Sequence, residues 1–389
     1  MRRSAFARIL WTCLGLVLVA SPVVAGEPNL QIQWRAPVLD PPSTGWKPRE
    51  NGGVILSPNG TYLYAAAVTG LSAFMTATGQ LAWRLPTSER IDARPVLRGR
   101  VLYTATSAGT VDALDALNGK PLWTDPVKLD VAVQGPLAVD AKSLYVVADP
   151  GVLFSLSNQT GKPNWTYKTE VQRDFLVSGQ GGALAAGNLV FVGTPSGKLV
   201  ALSARDGGLT WEVALDRSDR SPYADVDTTP VLVPRRGADG KPADWLLAAS
   251  HSGGLHAVLA ADGAHAWTYE AEALGEPLVV GDRVYVLSAE GSLHVLRLQD
   301  GQRVFARKMP GTVAGTLAVL PDQGVLLVPS ESGLDLVDME TGIASQRLLT
   351  ETGFAARPVV WDRNVYTISN GSVVYAFTMR HEVATSPFF

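Results

Sequence analysis

One cysteine, five histidines and five methionines stand among 389 residues. The lone thiol, Cys13, sits inside an N-terminal apolar run, so a chain that sheds this run has no disulfide, no thiolate metal ligand and no cysteine nucleophile. Clustered positive charge is also missing. With 33 basic against 36 acidic residues the formal net charge is −3, and this argues against a nucleic-acid partner, whose phosphates demand grouped Lys and Arg. No apolar run reaches the roughly 20 residues of a membrane span, because Ile9 to Ala20 is only twelve long. No convincing amphipathic helix follows it.

Catalytic and metal constellations are equally scarce. Gly193-Thr194-Pro195-Ser196-Gly197-Lys198-Leu199 imitates a phosphate loop, but it is one residue short and ends in Leu where a hydroxyl would hold magnesium. It reads as a β-turn. His251, His256, His265, His294 and His381 show no metal spacing beyond the His251/His256 pair around Gly253-Gly254. Ser250 lacks a nucleophile elbow. Asp216, Asp219, Asp225 and Asp227 do not follow a calcium-loop pattern. The expectation is therefore no catalytic residue, no metal and no cofactor.

The amino terminus carries Arg2, Arg3 and Arg8, then the apolar run, then Val23-Val24-Ala25 before Gly26, the layout of a secretory signal peptide over residues 1–25. An uncleaved anchor is the other reading. Lipidation of Cys13 finds no support, since Trp11-Thr12 precede it and Leu14 to Ala20 follow where a lipoprotein signal turns polar. Cleavage leaves residues 26–389 with 30 basic and 36 acidic side chains.

What is abundant is repetition. GTVDALDALNGKPLW, Gly109 to Trp123, recurs with slippage from Gly70, Gly151, Gly197 and Gly253, and more weakly from Gly291 and Ser332. Its turn glycines, Gly79, Gly119, Gly161, Gly207, Gly263, Gly301 and Gly342, are spaced by 40, 42, 46, 56, 38 and 41 residues. Several short strands per step of about 40 residues mark a β-propeller. The Asn-Gly, Thr-Gly and Asp-Gly pairs supply the positive φ of tight hairpins. In the second unit Arg94 to Leu97, Val101 to Ala105 and Val111 to Asp115 read as the first three strands, and the fourth carries Trp123. The repeated Trp residues are expected to fill the space between blades. Trp46, Trp245 and Trp361 lie outside that position and are free to face a channel or partner.

Eight second strands but only seven outer-strand signals are present. The eighth unit stops after Val373 to Phe377, whereas Leu30 to Trp34 is an alternating strand with a Trp in the outer-strand position. The N-terminal strand is expected to complete the eighth blade and close the ring. The predicted class is thus all-β: a single eight-bladed propeller over residues 26–389, with Pro41-Pro42 and Arg235 to Ala243 in surface loops.

The Ala-Leu-Asp-x-x-x-Gly-x-x-x-Trp pattern at Ala113 to Trp123 resembles the PQQ-like repeats. Quinoprotein dehydrogenases of this type are much longer and usually stack an adjacent cysteine pair on the quinone, which this chain lacks. The chain resembles more closely the BamB family, above all in Ala224-Asp225-Val226-Asp227-Thr228-Thr229-Pro230-Val231. That resemblance implies a non-enzymatic periplasmic scaffold, monomeric outside its complex, which assists outer-membrane β-barrel assembly by contacts with a BamA-like partner and other envelope proteins. It implies partner-binding roles for Asp225 and Asp227, and for Phe175, Leu176 and Ser178, the last standing about where the family has an arginine. The lipidation cysteine after the signal is also absent. On the residues alone, Asp225 and Asp227 serve equally well as turn-formers accepting backbone N–H bonds. A ligand-binding or quinoprotein-like propeller is the alternative function.

Overall fold

The computed structural model describes residues 28–38, 50–169, 181–215, 225–237, 240–272, 274–312 and 315–381. The signal segment, Trp46, Asp216, Asp219, Phe175, Leu176 and Ser178 lie outside these residues. Eight four-stranded antiparallel sheets form the blades of a propeller. The only helical element among the described residues is a short 3₁₀ turn, Pro321–Gln323.

The first strand of each blade is innermost and short, as in Val54–Leu56 of blade 1 and Val359–Trp361 of blade 8. The second and third strands are nearly continuous in burial, because each sheet is covered on both faces by its neighbours. Outer strands such as Leu209–Ala214 alternate between exposed and half-buried positions. The core accordingly splits into eight apolar clusters, each straddling one blade-to-blade boundary. Stability in such a ring is nearest-neighbour in character.

The repeat motif is explained by one contact made again and again. An outer-strand Trp lays its ring on the turn glycine of the next blade: a Cβ added at Gly207 would lie 2.6 Å from the Trp165 ring, and one at Gly119 2.7 Å from Trp83. These glycines have φ of 74° and 71°, so both the backbone and the indole require the missing side chain. The indole N–H then donates to a carbonyl of the same turn, from Trp83 to Ala116 at 2.9 Å, Trp165 to Ala204 at 3.1 Å, Trp211 to Ala260 at 3.2 Å and Trp267 to Leu298 at 2.9 Å. Each ring is thereby satisfied in both its apolar body and its polar edge. A one-residue bulge precedes the Trp in the ladder, as at Ala73/Phe74 and Ala201/Leu202, and turns the ring toward the neighbouring blade.

Blade 2 departs from the expectation. Its outer strand is only Val127–Lys128, and Trp123 lies before it rather than in it. Pro121 and Pro126 withdraw N–H donors on either side of Trp123, leaving the isolated bridge Leu114↔Pro121 in place of a continuous ladder. Trp123 is still buried and still covers Gly161. The inner strand of this blade is Val96–Arg98, two residues later than the sequence pattern suggested at its start.

The ring closes through the amino terminus. Pro28–Pro37 pairs antiparallel with Val373–His381, and both strands run longer than the alternation implied. The register repeats that of other blades: a bulge at Ile32/Trp34 aims Trp34 onto Gly79 of blade 1, and its indole donates to the Thr76 carbonyl at 2.7 Å.

Candidate functional site

The segment Asp225 to Pro230 leads into the inner strand of blade 5, Val231–Val233, and is held from both sides. The Val226 amide donates to the Thr194 carbonyl at 3.1 Å, and the His251 amide donates to the Asp225 carbonyl at 2.9 Å. Thr228 Oγ1 donates to the Ala249 carbonyl at 3.2 Å and accepts from the Ala249 amide at 3.1 Å. The Thr229 hydroxyl accepts from the Gly182 amide at 2.9 Å, tying the segment to blade 4. A Cβ at Gly193 would meet the Val226 carbonyl at 2.3 Å, so the strand end of blade 4 must be bare for this loop to pass. The Thr-Thr-Pro sequence is therefore a fixed entry into the blade.

The two aspartates differ in setting. Asp225 is 3% exposed, while Asp227 is half-buried. Burial pushes the Asp227 carboxyl above its ordinary value; its own backbone amide and nearby His251 oppose the shift, and the charge of Asp225 adds to it. Asp227 is thus a carboxylate already stripped of part of its hydration, which gains most when a cation pairs with it. The structure brings the two aspartates and His251 together. Phe175, Leu176 and Ser178 lie outside the described residues.

Other residues singled out in the sequence take structural places. His256 is buried, its Nε2–H donating to the Gly253 carbonyl at 3.1 Å and its Nδ1 accepting from Thr268 at the same distance. Trp245 stands edge-on to Trp267 beneath the Arg235 guanidinium, 3.8 Å from the ring centre. Trp361 is 41% exposed and covers Gly60. Among the described residues, no group of three or more His, Cys, Asp and Glu side chains could hold a metal ion.

One constellation escaped the sequence reading. The residue two before each inner strand forms a ring of eight around the axis: Gly52, Arg94, Pro136, Gly182, Thr229, Glu276, Thr316 and Arg357. Three are charged. Arg357 pairs with Glu276 at 2.6 Å across the blade 7 position. The signal was present as a charge preceding a proline in three units, Arg94-Pro95, Glu276-Pro277 and Arg357-Pro358, but only the blade register makes the three positions equivalent.

The sequence profile described as outer membrane protein assembly factor BamB matches residues 23–128, 70–238 and 234–385. The chain belongs to the BamB family. It is similar to the outer membrane protein assembly factor BamB of Yersinia pestis, 24% identical over 336 residues, which span 82% of each chain. Its fold is similar to that of BamB from Moraxella catarrhalis, with a TM-score of 0.76 at 20% identity, covering 90% of this chain and all of that one. Quinohemoprotein alcohol dehydrogenase from Comamonas testosteroni shares the propeller at 13% identity and a TM-score of 0.69, over 92% of this chain and 77% of the enzyme. The last likeness is one of fold alone.

Proposed function

We propose that this BamB-family chain is an exported, non-enzymatic scaffold that assists assembly of outer-membrane β-barrel proteins by docking on a BamA-like partner. The observation that carries the reading is the family match, which runs through all eight blades rather than through a detachable part. The docking surface is the loop of Asp225 and Asp227, with the apolar Phe175 and Leu176, and Ser178, preceding the inner strand of blade 4 in sequence as the aspartates precede that of blade 5. Asp227 supplies the acceptor for a partner arginine or lysine. Asp225, being buried, shapes the loop that presents it.

Single substitutions separate these roles. Asp227→Ala is expected to weaken binding to a BamA-like partner by at least ~1 kcal/mol with an unchanged melting temperature. Asp225→Ala is expected to lower the melting temperature and to weaken binding through the misplaced loop. Calorimetric binding and thermal melts of both variants check this; normal binding by the Asp227 variant removes the carboxylate from the interface.

The chain acts in the periplasm after cleavage between Ala25 and Gly26. Intact mass of the exported protein is expected to correspond to residues 26–389 without acyl groups. A mass that retains an acylated Cys13 overturns this.

A further inference from the structure

The ring of residues ahead of the inner strands is charged but not balanced. Two guanidinium groups, Arg94 and Arg357, face one carboxylate, Glu276. Arg357 takes that carboxylate, its Nη1 donating to Glu276 at 2.6 Å. Asp92, the nearest alternative acid in the chain to Arg94, is engaged bidentately by Arg90 at 2.7 and 3.0 Å. Among the described residues the Arg94 guanidinium makes no hydrogen bond and no ion pair. Its guanidinium is half-buried at the channel wall, and this burial pulls its pKa below the ordinary value, while Glu276 opposes the shift and Arg357 adds to it. An arginine keeps its proton under such pressure, so the charge persists without a partner. A partly desolvated guanidinium without a protein acceptor gains from an anion that supplies the missing hydrogen-bond partners.

Arg94 and Arg357 line two cavities at once. One, of about 350 Å³, is polar, with Asn51, Gln134, Thr316 and the carboxylates of Asp92 and Glu276 in its wall. The other, of about 480 Å³, runs along the inner strands and is walled by Val54, Leu56, Leu278, Val319, Val359 and Val360. The guanidinium pair therefore stands where a polar mouth gives way to an apolar channel. A volume of this size is within the roughly 300–1,000 Å³ usual for small-molecule sites.

We infer that the central channel binds a small monocarboxylate with an apolar tail, its carboxylate held by the Arg94 fork and its tail lying among the inner-strand valines and leucines. The charge count favours one negative charge: Arg90 holds Asp92 and Arg357 holds Glu276, so of three guanidiniums and two carboxylates only Arg94 is left for a monoanion to balance. A phosphate dianion would bring excess negative charge close to Glu276 and Asp92 and would leave the apolar cavity unfilled. The planar guanidinium matches a carboxylate with two parallel N–H···O bonds, whereas an ammonium offers only a point charge. This site is separate from the aspartate loop, so its fate and that of the partner-binding reading are decided independently.

The test is isothermal titration of the protein of residues 26–389 with sodium octanoate, octylamine and inorganic phosphate. Octanoate is expected to bind at one saturable site, octylamine not at all, and phosphate at least ~10-fold more weakly than octanoate. Arg94→Met should lose octanoate binding by ~10-fold or more while melting no lower than the parent, since the unpaired charge is gone. Arg94→Lys keeps the charge without the fork and should bind between the two. Absence of octanoate binding, an order other than parent, Lys, Met, or phosphate binding as tight as octanoate would each overturn the assignment. Neither variant should change the affinity for a BamA-like partner.

Discussion

Removal of residues 26–36 is expected to abolish the stable fold rather than trim it. The strand Pro28–Pro37 contributes nine paired positions against Val373–His381, so its loss exposes a long edge on blade 8. It also carries contacts in both directions around the ring. Toward blade 7, the Gln346 side chain clasps the Leu30 backbone, accepting from its amide at 2.8 Å and donating to its carbonyl at 3.0 Å. Toward blade 1, Trp34 donates to Thr76 at 2.7 Å and stacks over Gly79, between Phe74 and Tyr366. Leu30, 1% exposed, is part of the cluster between blades 7 and 8, and Ala36 belongs to the one between blades 8 and 1. One deletion thus weakens two of the eight interfaces at once. Trp34→Ala alone should cost about 3 kcal/mol, the lower end of the range for a large aromatic because the ring is half-buried. Thermal melts followed by tryptophan fluorescence, with light scattering for edge-to-edge association, read both. A deletion that melts with the parent would falsify closure by the N-terminal strand.

Stability is expected to fall as pH rises from about 4.5 to 7 through one group at the same seam. Glu50, 1% exposed, lies between blades 8 and 1. Its carboxylate accepts from the Val68 amide at 3.0 Å and contacts the Ser372 hydroxyl, while its own amide donates to Asn370 Oδ1 at 3.3 Å. Burial raises its pKa from 4.5 to about 7, against the lowering effect of Ser372, Val68 and Arg90. A carboxyl whose folded value lies above its unfolded value binds more protons in the native state across that window. Its contribution is therefore complete below about 4.5, is lost through about 7, and stays lost above it. The loss amounts to about 3 kcal/mol at most. Glu50→Gln, which cannot ionise, should flatten this slope and exceed the parent at pH 8 by about 2 kcal/mol. Urea unfolding at pH 5, 6, 7 and 8 measures both slopes, and parallel slopes in parent and variant would assign the pH dependence elsewhere.

The number of blades, the order of strands within them and the closing role of the N-terminal strand were legible in the sequence. The reason is that a propeller is built from local hairpins whose turns need glycine at positive φ and whose outer strands need a large ring. Gly79 through Gly342 and Trp34 through Trp267 declare these needs residue by residue. The missing eighth outer strand could be found by counting because a sheet edge must be paired. The reading slipped where a local chemical detail overrode the repeat, as when Pro121 and Pro126 displaced the outer strand of blade 2.

The sites were less legible. Asp225 and Asp227 look equivalent as letters, yet the fold buries one, whose backbone is tied to His251, and leaves the other half-buried. The charged ring is harder still to see in one dimension. Arg94, Glu276 and Arg357 are separated by 182 and 81 positions and become neighbours only when closure brings the eight inner strands around one axis. Sequence determined the repeating unit, since its constraints are local turn geometry and a single inter-blade contact. Tertiary structure alone decided which charges come together around the axis and which, among the described residues, are left without a partner, since that depends on the burial and pairing that ring closure creates.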